Sequence, residues 1–217
     1  MDYGSMVITG FIHDKKMIIV SHRGTANLRN WLRNISYGQV AMRGQPSNVR
    51  IHEGFLGIYR STDNSSNRRL DELLADPKYK DYKVVFTGVS LGAATATIHA
   101  FDAGKRLKDQ GRNVELFTYV GPRVGNRAFV DNFINLNITT GRYTNGGDIV
   151  SKMYPRTKGY VHIPGEFFNP PNSGANVITC SQTWDEDPNC GWSTNDDIRL
   201  IDHAYAFGEL QKLCPYN

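Results

Sequence analysis

The segment KVVFTGVSLGAATA, residues 83–96, constrains the fold more than any other part of the chain. It opens on apolar, β-branched residues typical of a buried strand and closes on small residues that favour a helix. Between them, Gly88 and Gly92 complete the pattern G-x-S-x-G around Ser90. A serine at such a turn presents its hydroxyl above the sheet, and the next backbone N–H faces the place where an oxyanion would form. The context predicts Ser90 as a nucleophile and Leu91 as an oxyanion-hole residue.

Strand and helix signals alternate on both sides of this turn. A short apolar run precedes it, and a leucine-bearing helix signal, a long helix signal and another strand signal complete the alternation, at 17–20, 68–75, 91–109 and 114–120. Shorter extended pieces follow at 141–150, 159–168 and 176–180. Strand–helix–strand alternation predicts a mostly parallel sheet covered by helices. We therefore expect a single α/β domain over the 217 residues.

Composition excludes several classes of function. Hydrophobic residues make up 40% of the chain and charged residues 21%, which suits a globular protein. The net charge of +4 is mild and no Lys/Arg tract occurs, so we expect no nucleic-acid partner. No apolar run is long enough for a membrane span, so we expect no stable membrane insertion. No C-x-x-C occurs, and we expect neither a metal nor an organic cofactor.

A serine hydroxyl needs a base, usually a histidine, and an acid that orients the base. After Ser90 the chain offers His99, His162 and His203. His99 follows on the helix after the turn, and His162 lies in an alternating extended segment, where a structural role is more common. The order serine, acid, histidine expected for this fold favours His203, near the C-terminus.

Asp148 is the preferred acid because it lies in the Gly-rich turn TNGGDIV, from which a loop carboxylate can be directed at the histidine. Asp131 and Asp202 are less suitable, since Asp131 belongs to an apparent helix face and Asp202 directly precedes the base. The second oxyanion-hole donor usually comes from the loop after an early strand. Thr25, in SHRGT, meets that requirement with both an N–H and a hydroxyl.

The chain resembles the class 3 lipase family, of the fungal triacylglycerol lipase type. The matching segments occur in family order over nearly the whole length: IIVSHRGTANLRNWL, IHEGFLGIYRS, YKVVFTGVSLGAATA, LFTYVGPRVGNRAFV, GGDIV, GYVHIPGEFF and DHAYAF. The resemblance implies an α/β-hydrolase fold. It also implies Ser90, Asp148 and His203 as the catalytic triad, with Thr25 and Leu91 in the oxyanion hole.

Three departures from the family pattern leave the triad intact. Val89 replaces the usual histidine before the nucleophile, and His22 replaces the usual aromatic residue before Arg-Gly. The Pro-rich stretch after the acid is changed to SKMYP at residues 151–155. These changes bear on substrate preference and on the tuning of the site.

Residues 25–37, TANLRNWLRNISY, carry an apolar stripe at helical spacing, formed by Leu28, Trp31, Leu32 and Ile35. An ordinary core-facing helix has the same pattern. In class 3 lipases the corresponding segment is a mobile lid over the serine, which exposes its apolar face at an oil–water interface. Feruloyl esterases of the family tend to be more polar there, so the stripe favours a lipase.

These features together predict a triacylglycerol lipase that acts on lipid esters at an oil–water interface. Phospholipase A1, mono/diacylglycerol lipase and feruloyl esterase are alternatives of the same fold. A non-catalytic binding module is an alternative from another class, against which the ordered Ser-Asp-His set argues.

The chain has three cysteines. Cys180 and Cys190 lie ten positions apart in a loop-rich region and should form a local disulfide in an oxidising compartment. The family resemblance implies that Cys214 would bridge to an N-terminal segment, with a helix, that this sequence lacks. We therefore expect an unpaired Cys214 and an exposed apolar patch that permits self-association. We also expect secretion, with the signal peptide outside this sequence.

Overall fold

The computed structural model describes residues 5–25, 36–171, 173, 176–182, 186–194, 197–206 and 209–210. The apolar stripe of the expected lid (Leu28, Trp31, Leu32 and Ile35) and Cys214 lie outside these residues. The strands are β1 Val7–Ile12, β2 Met17–His22, β3 Gln39–Ala41, β4 Arg50–His52, β5 Lys83–Val89, β6 Val114–Tyr119, β7 Thr139–Asn145, β8 Glu166–Asn169, β9 Ile178–Thr179, β10 Tyr205–Ala206 and β11 Glu209–Leu210. The α-helices are α1 Glu53–Arg60, α2 Asp63–Ala75, α3 Leu91–Asp109, α4 Arg127–Asn135, α5 Ile149–Lys152 and α6 Ile201–Ala204. Single 3₁₀ turns span Pro77–Tyr79, Arg156–Lys158 and Gly191–Thr194.

Seven strands form the central sheet, in the order β1-β2-β5-β6-β7-β8-β9. The five strands from β2 to β8 are parallel, and antiparallel strands β1 and β9 flank them at the two edges. The strand–helix alternation in the sequence therefore predicted the architecture correctly, because parallel neighbours require crossover connections such as α3 between β5 and β6.

Helix α3 packs against β5 and β6 in the central sheet. Nearly all of its first three turns are buried, and the residues there are small: Gly92, Ala93, Ala94, Thr95, Ala96 and Thr97. Small side chains let the helix axis approach the sheet closely, which fixes the start of α3 against the ends of β2 and β5. The helix spans the range predicted for it, Leu91–Asp109.

Helix α2 begins at Asp63, five residues before the predicted start at Arg68. Its Leu70 and Leu73 are buried and Leu74 packs against the same core, as the helical spacing predicted. The early turns are polar and the hydroxyls of Ser65 and Ser66 both donate to the carbonyl of Thr62. A polar first turn carries no apolar periodicity, which is why the sequence pattern located the helix too late.

Strand β1 lies at one end of the sheet order and carries exposed apolar side chains. Ile8, Phe11 and Ile12 are all more than 40% exposed, and so is Met6 just before the strand. Edge strands with apolar surfaces favour pairing with other chains. Association of two copies through this surface stays a prediction. Among the helices in the described part of the chain, none is both long and apolar enough to cross a bilayer.

Candidate active site

Ser90 lies in the one-residue turn between β5 and α3. Its φ of 57° and ψ of −123° lie outside the regions that L-residues ordinarily occupy. The Ser90 backbone N–H donates to the carbonyl of Tyr119 at 2.9 Å, and its carbonyl accepts from Ala93 N at 3.0 Å. These bonds to β6 and to the first turn of α3 hold the unusual backbone conformation in place.

The two glycines around Ser90 are required by close backbone contacts. A Cβ on Gly88 would overlap the Gly92 carbonyl, and a Cβ on Gly92 would overlap the carbonyl of His22. β5 and α3 therefore meet at Gly88, while α3 and the end of β2 meet at Gly92. The two glycines of the G-x-S-x-G pattern therefore allow the close contact of β5 with α3 and the close contact of α3 with β2, in addition to the turn at Ser90.

A chain of hydrogen bonds links Ser90 to two residues far along the sequence. Ser90 Oγ lies 3.0 Å from Nε2 of His203, and Nδ1 of His203 lies 2.9 Å from Oδ1 of Asp148. Asp148 is fully buried, and Ser90 and His203 are less than 10% exposed. Serine, imidazole and carboxylate in this arrangement can move a proton from the hydroxyl to the ring while the carboxylate stabilises the imidazolium.

Asp148 is held by the start of the short helix α5. Its Oδ1 accepts from the backbone N–H of Val150 at 2.9 Å, so the carboxylate caps the helix. Its Oδ2 accepts from the hydroxyl of Ser151, also at 2.9 Å. The sequence analysis did not identify this contact.

The glycines of GGDIV let the segment before His203 pack on the Asp148 turn. Gly146 has a φ of 44°, and a Cβ on Gly147 would overlap the carbonyl of Asp197. Arg199 N donates to the Gly147 carbonyl at 2.7 Å, which ties the two segments together. Glycine is needed at both positions for His203 to reach Asp148.

Asp202, the less suitable acid of the sequence analysis, has a different place in this site. Its Oδ2 accepts from Gly147 N at 2.8 Å and faces Nη2 of Arg199 at 3.1 Å, and its carbonyl accepts from the side-chain amide of Asn145. Asp202 thereby joins the helix of His203 to the turn of Asp148. Asp131, the other alternative, pairs with Arg127 on the exposed face of α4.

His99 and His162 are buried, and each is hydrogen-bonded to a residue other than Ser90. His99 Nδ1 lies 3.0 Å from Nε2 of His22, and His162 Nε2 donates to the carbonyl of Ser151 at 2.8 Å. Burial lowers the pKa of His22 to about 3, and burial with nearby cationic groups lowers the pKa of both His99 and His162 well below 6.5. These histidines stay neutral at physiological pH.

The predicted oxyanion-hole residues lie on the two sides of the turn. Leu91 is the first residue of α3, where backbone N–H groups have no acceptor within the helix. β2 pairs with β5 so that His22 faces Gly88, and this register brings the Arg23–Thr25 loop to the end of β5. Thr25 is half-buried there, and a Cβ on Gly24 would lie 2.9 Å from the carbonyl of Val89.

The predicted disulfide between Cys180 and Cys190 is present, with the Cα atoms 6.1 Å apart. Its loop contains Glu186, which forms a two-pronged, buried ion pair with Arg123, at 2.6 Å and 2.7 Å. Arg123 also donates to the carbonyls of Lys152 and Met153 at the end of α5. The disulfide loop is therefore connected to the helix that carries Asp148. Within the described residues, no cluster of side chains could hold a metal ion.

A parallel sheet with a strand–serine–helix turn, and a serine, histidine and aspartate meeting at its carboxyl edge, defines the chain as an α/β-hydrolase. The profile of the family Lipase (class 3) matches residues 19–158, and the chain belongs to this family.

The chain is similar to known lipases over nearly its full length. It is 32% identical to the lipase of Rhizomucor miehei over 215 residues, which cover 98% of this chain and 57% of that protein. It is 33% identical over 154 residues to secreted mono- and diacylglycerol lipase 1 of Fusarium solani, covering 71% of this chain and 44% of that protein. The solved structure of the Rhizomucor miehei lipase propeptide complex superposes with a TM-score of 0.89 at 30% identity. That match covers 99% of this chain and 68% of the other. The chain thus spans about half the length of the relatives it matches.

Proposed function

We propose that this chain is a lipase, a serine hydrolase that cleaves carboxylic esters of lipids, with triacylglycerols as the main substrates. The observation that carries the proposal is the hydrogen-bonded series Ser90–His203–Asp148 at the end of a parallel sheet. Family membership and similarity to fungal lipases support the same reaction class.

In the proposed mechanism Ser90 Oγ attacks the ester carbonyl as His203 Nε2 takes its proton. The protonated His203 then gives that proton to the leaving alcohol, and Asp148 stabilises the imidazolium. A water molecule then attacks the acyl-enzyme while His203 takes its proton and returns it to Ser90 Oγ, and the fatty acid leaves. The N–H groups of Thr25 and Leu91 would bind the oxyanion, each contributing about 3 kcal/mol to transition-state stabilisation if typical.

Replacing the nucleophile tests the reaction class. Ser90→Ala should lower kcat on a short p-nitrophenyl ester at least about 10⁴-fold, because the hydroxyl forms the covalent intermediate. The wild-type protein should be labelled by a fluorophosphonate at Ser90, and the variant should not. Wild-type protein that is neither labelled nor active would support the non-catalytic binding module instead. Equal turnover by the variant would mean that Ser90 is not the nucleophile.

The lid hypothesis separates a lipase from a soluble-ester esterase. We expect Trp31→Gln to reduce activity on emulsified triacylglycerol more than on a dissolved ester, because the apolar stripe would bind the oil surface. Trp192→Gln is the matched control, since Trp192 is a 40% exposed tryptophan in a 3₁₀ turn. Equal losses on both substrates would mean that residues 25–37 form an ordinary core-facing helix.

The mono- and diacylglycerol lipase activity named for the Fusarium solani relative is the second candidate. Rates on tri-, di- and monoacylglycerols of one acyl length, presented in the same emulsion, distinguish the two. Phospholipid and feruloyl ester substrates in the same assay test the remaining alternatives.

A further inference from the structure

The carboxylate of Asp148 has different partners on its two oxygens. Oδ1 faces His203 Nδ1 and the Val150 amide, whereas Oδ2 accepts from the hydroxyl of Ser151 at 2.9 Å. A partial rotation of the carboxylate about its last side-chain bond would lengthen the contact to His203. A donor on Oδ2 opposes that rotation.

We propose that Ser151 is a positioning residue for the proposed hydrolysis, acting through Asp148 to keep Oδ1 on His203 Nδ1. This inference rests on the proposed function, in which His203 is the general base. Ser151 also donates to a carboxylate, and hydrogen bonds to an ionised acceptor are stronger and more directional than those between neutral groups. Its hydroxyl therefore favours one orientation of the Asp148 carboxylate.

Ser151 is itself fixed from the side opposite Asp148. Its carbonyl accepts from His162 Nε2 at 2.8 Å. The next two carbonyls, of Lys152 and Met153, accept from Arg123 Nη1. Ser151 and His162 are both less than 10% exposed, so water does not readily compete for these bonds. These three bonds fix the backbone from which the Ser151 hydroxyl reaches Asp148.

The charged groups near Asp148 come from its own helix and from the segment that packs on it. Lys152, on α5, lies close enough to interact with Asp148, and its Nζ donates to the Gly191 carbonyl at 2.6 Å. His203 and the Asp202–Arg199 pair face the turn from the other segment. The hydrogen bonds described above for these groups do not involve the Ser151 hydroxyl, so Ser151→Ala is designed to remove the one hydrogen bond to Asp148.

The central experiment compares Ser151→Ala with Ser66→Ala. Ser66 is a matched control: it is a buried serine whose hydroxyl donates to the carbonyls of Thr62 and Asp63 at the start of α2. For Ser151→Ala we expect kcat per fluorophosphonate-titrated site to fall roughly tenfold or more, with KM unchanged. Ser151→Thr, which keeps a hydroxyl, should restore kcat.

A proton NMR measurement reads the same hydrogen bond without turnover. The Nδ1 proton of His203, assigned by its loss in His203→Ala, should shift or broaden in Ser151→Ala and stay unchanged in Ser66→Ala. If the two alanine variants agree in kcat and in the Nδ1 resonance, the role of Ser151 is wrong while the proposed function stands. If the wild-type protein hydrolyses no ester, the proposed function fails, and the Nδ1 resonance still decides whether Ser151 positions Asp148.

Discussion

At the scale of single residues, residue types and their order in the chain were enough to predict the three central side chains of the site. Ser90, Asp148 and His203 were chosen from the G-x-S-x-G pattern, a Gly-rich turn and chain order, and the structure brings their side chains together. The contacts of Ser151 and Asp202 were not found, because a side-chain hydrogen bond depends on χ angles and on chain segments that meet only in the fold. A serine and an aspartate have too many common roles for their positions in the sequence to specify these contacts.

Gly92→Ala tests the close approach of α3 to β2. The added Cβ would overlap the His22 carbonyl and lie 2.7 Å from the carbonyl carbon of Arg23, so backbone must move. We expect a loss of about 1–3 kcal/mol in the free energy of unfolding and a loss of esterase activity, since the Arg23–Thr25 loop would shift. Urea denaturation and p-nitrophenyl ester assays measure the two effects.

Gly57→Ala is the control for Gly92→Ala. Gly57 lies within α1, and a Cβ there would have nothing within 4 Å. Alanine should stabilise the helix by up to about 1 kcal/mol and leave activity unchanged. Equal effects of the two substitutions would contradict the proposed crowding at Gly92.

At the scale of helices and strands, elements with a clear apolar period were predicted and elements without one were missed. β2, β5, α3 and β6 were located within about two residues, whereas β1 and α1 were not predicted. Helix α1, EGFLGIYR, contains two glycines, which lower its intrinsic helix propensity. Its Phe55, Leu56 and Tyr59 are buried in the core, so tertiary packing outweighs that propensity. Packing of this kind involves residues distant in sequence, and a local pattern cannot report it.

The disulfide loop should stabilise the fold and the Asp148 helix together. Closing the loop between Cys180 and Cys190 should contribute roughly 2–3 kcal/mol to the free energy of unfolding. We therefore expect reductant to lower the urea midpoint of the wild-type protein. A Cys180→Ser, Cys190→Ser double variant should match the reduced wild-type protein and show no response to reductant. A double variant as stable as the oxidised wild-type protein would mean that the buried Arg123–Glu186 pair holds the loop without the disulfide.

At the scale of the whole molecule, the interior contains histidines that stay uncharged. His22, His52, His99 and His162 are all buried, and burial lowers the pKa of each. In the unfolded chain the same rings would take up protons near pH 6.5. A histidine whose pKa is lower in the native state than in the unfolded chain therefore destabilises the fold progressively as the pH falls below about 6.5, because protons then bind the unfolded chain preferentially.

The free energy of unfolding should therefore decrease on acidification from pH 6.5 toward pH 4.5. Each buried histidine adds a slope of at most about 1.4 kcal/mol per pH unit, because one proton binds the unfolded chain and not the native one. Urea unfolding at a series of pH values measures the slope. In a His22→Leu, His99→Leu double variant, the free energy of unfolding should depend less steeply on pH, by at most the contribution of two histidines. A wild-type stability that stays flat over this range would mean that the native state accommodates the charged rings.

The hydrogen-bonded series also has a consequence for how the protein is made. Ser90 and His203 are 113 positions apart, and Asp148 and His203 are 55 apart. A ribosome releases the strand and helix around Ser90 long before it adds His203, so most of the sheet can assemble on a nascent chain that still lacks the imidazole. The proposed ester cleavage would then begin only after His203 has been added. In a stalled-ribosome series, labelling by the fluorophosphonate would thus mark the end of assembly rather than its start.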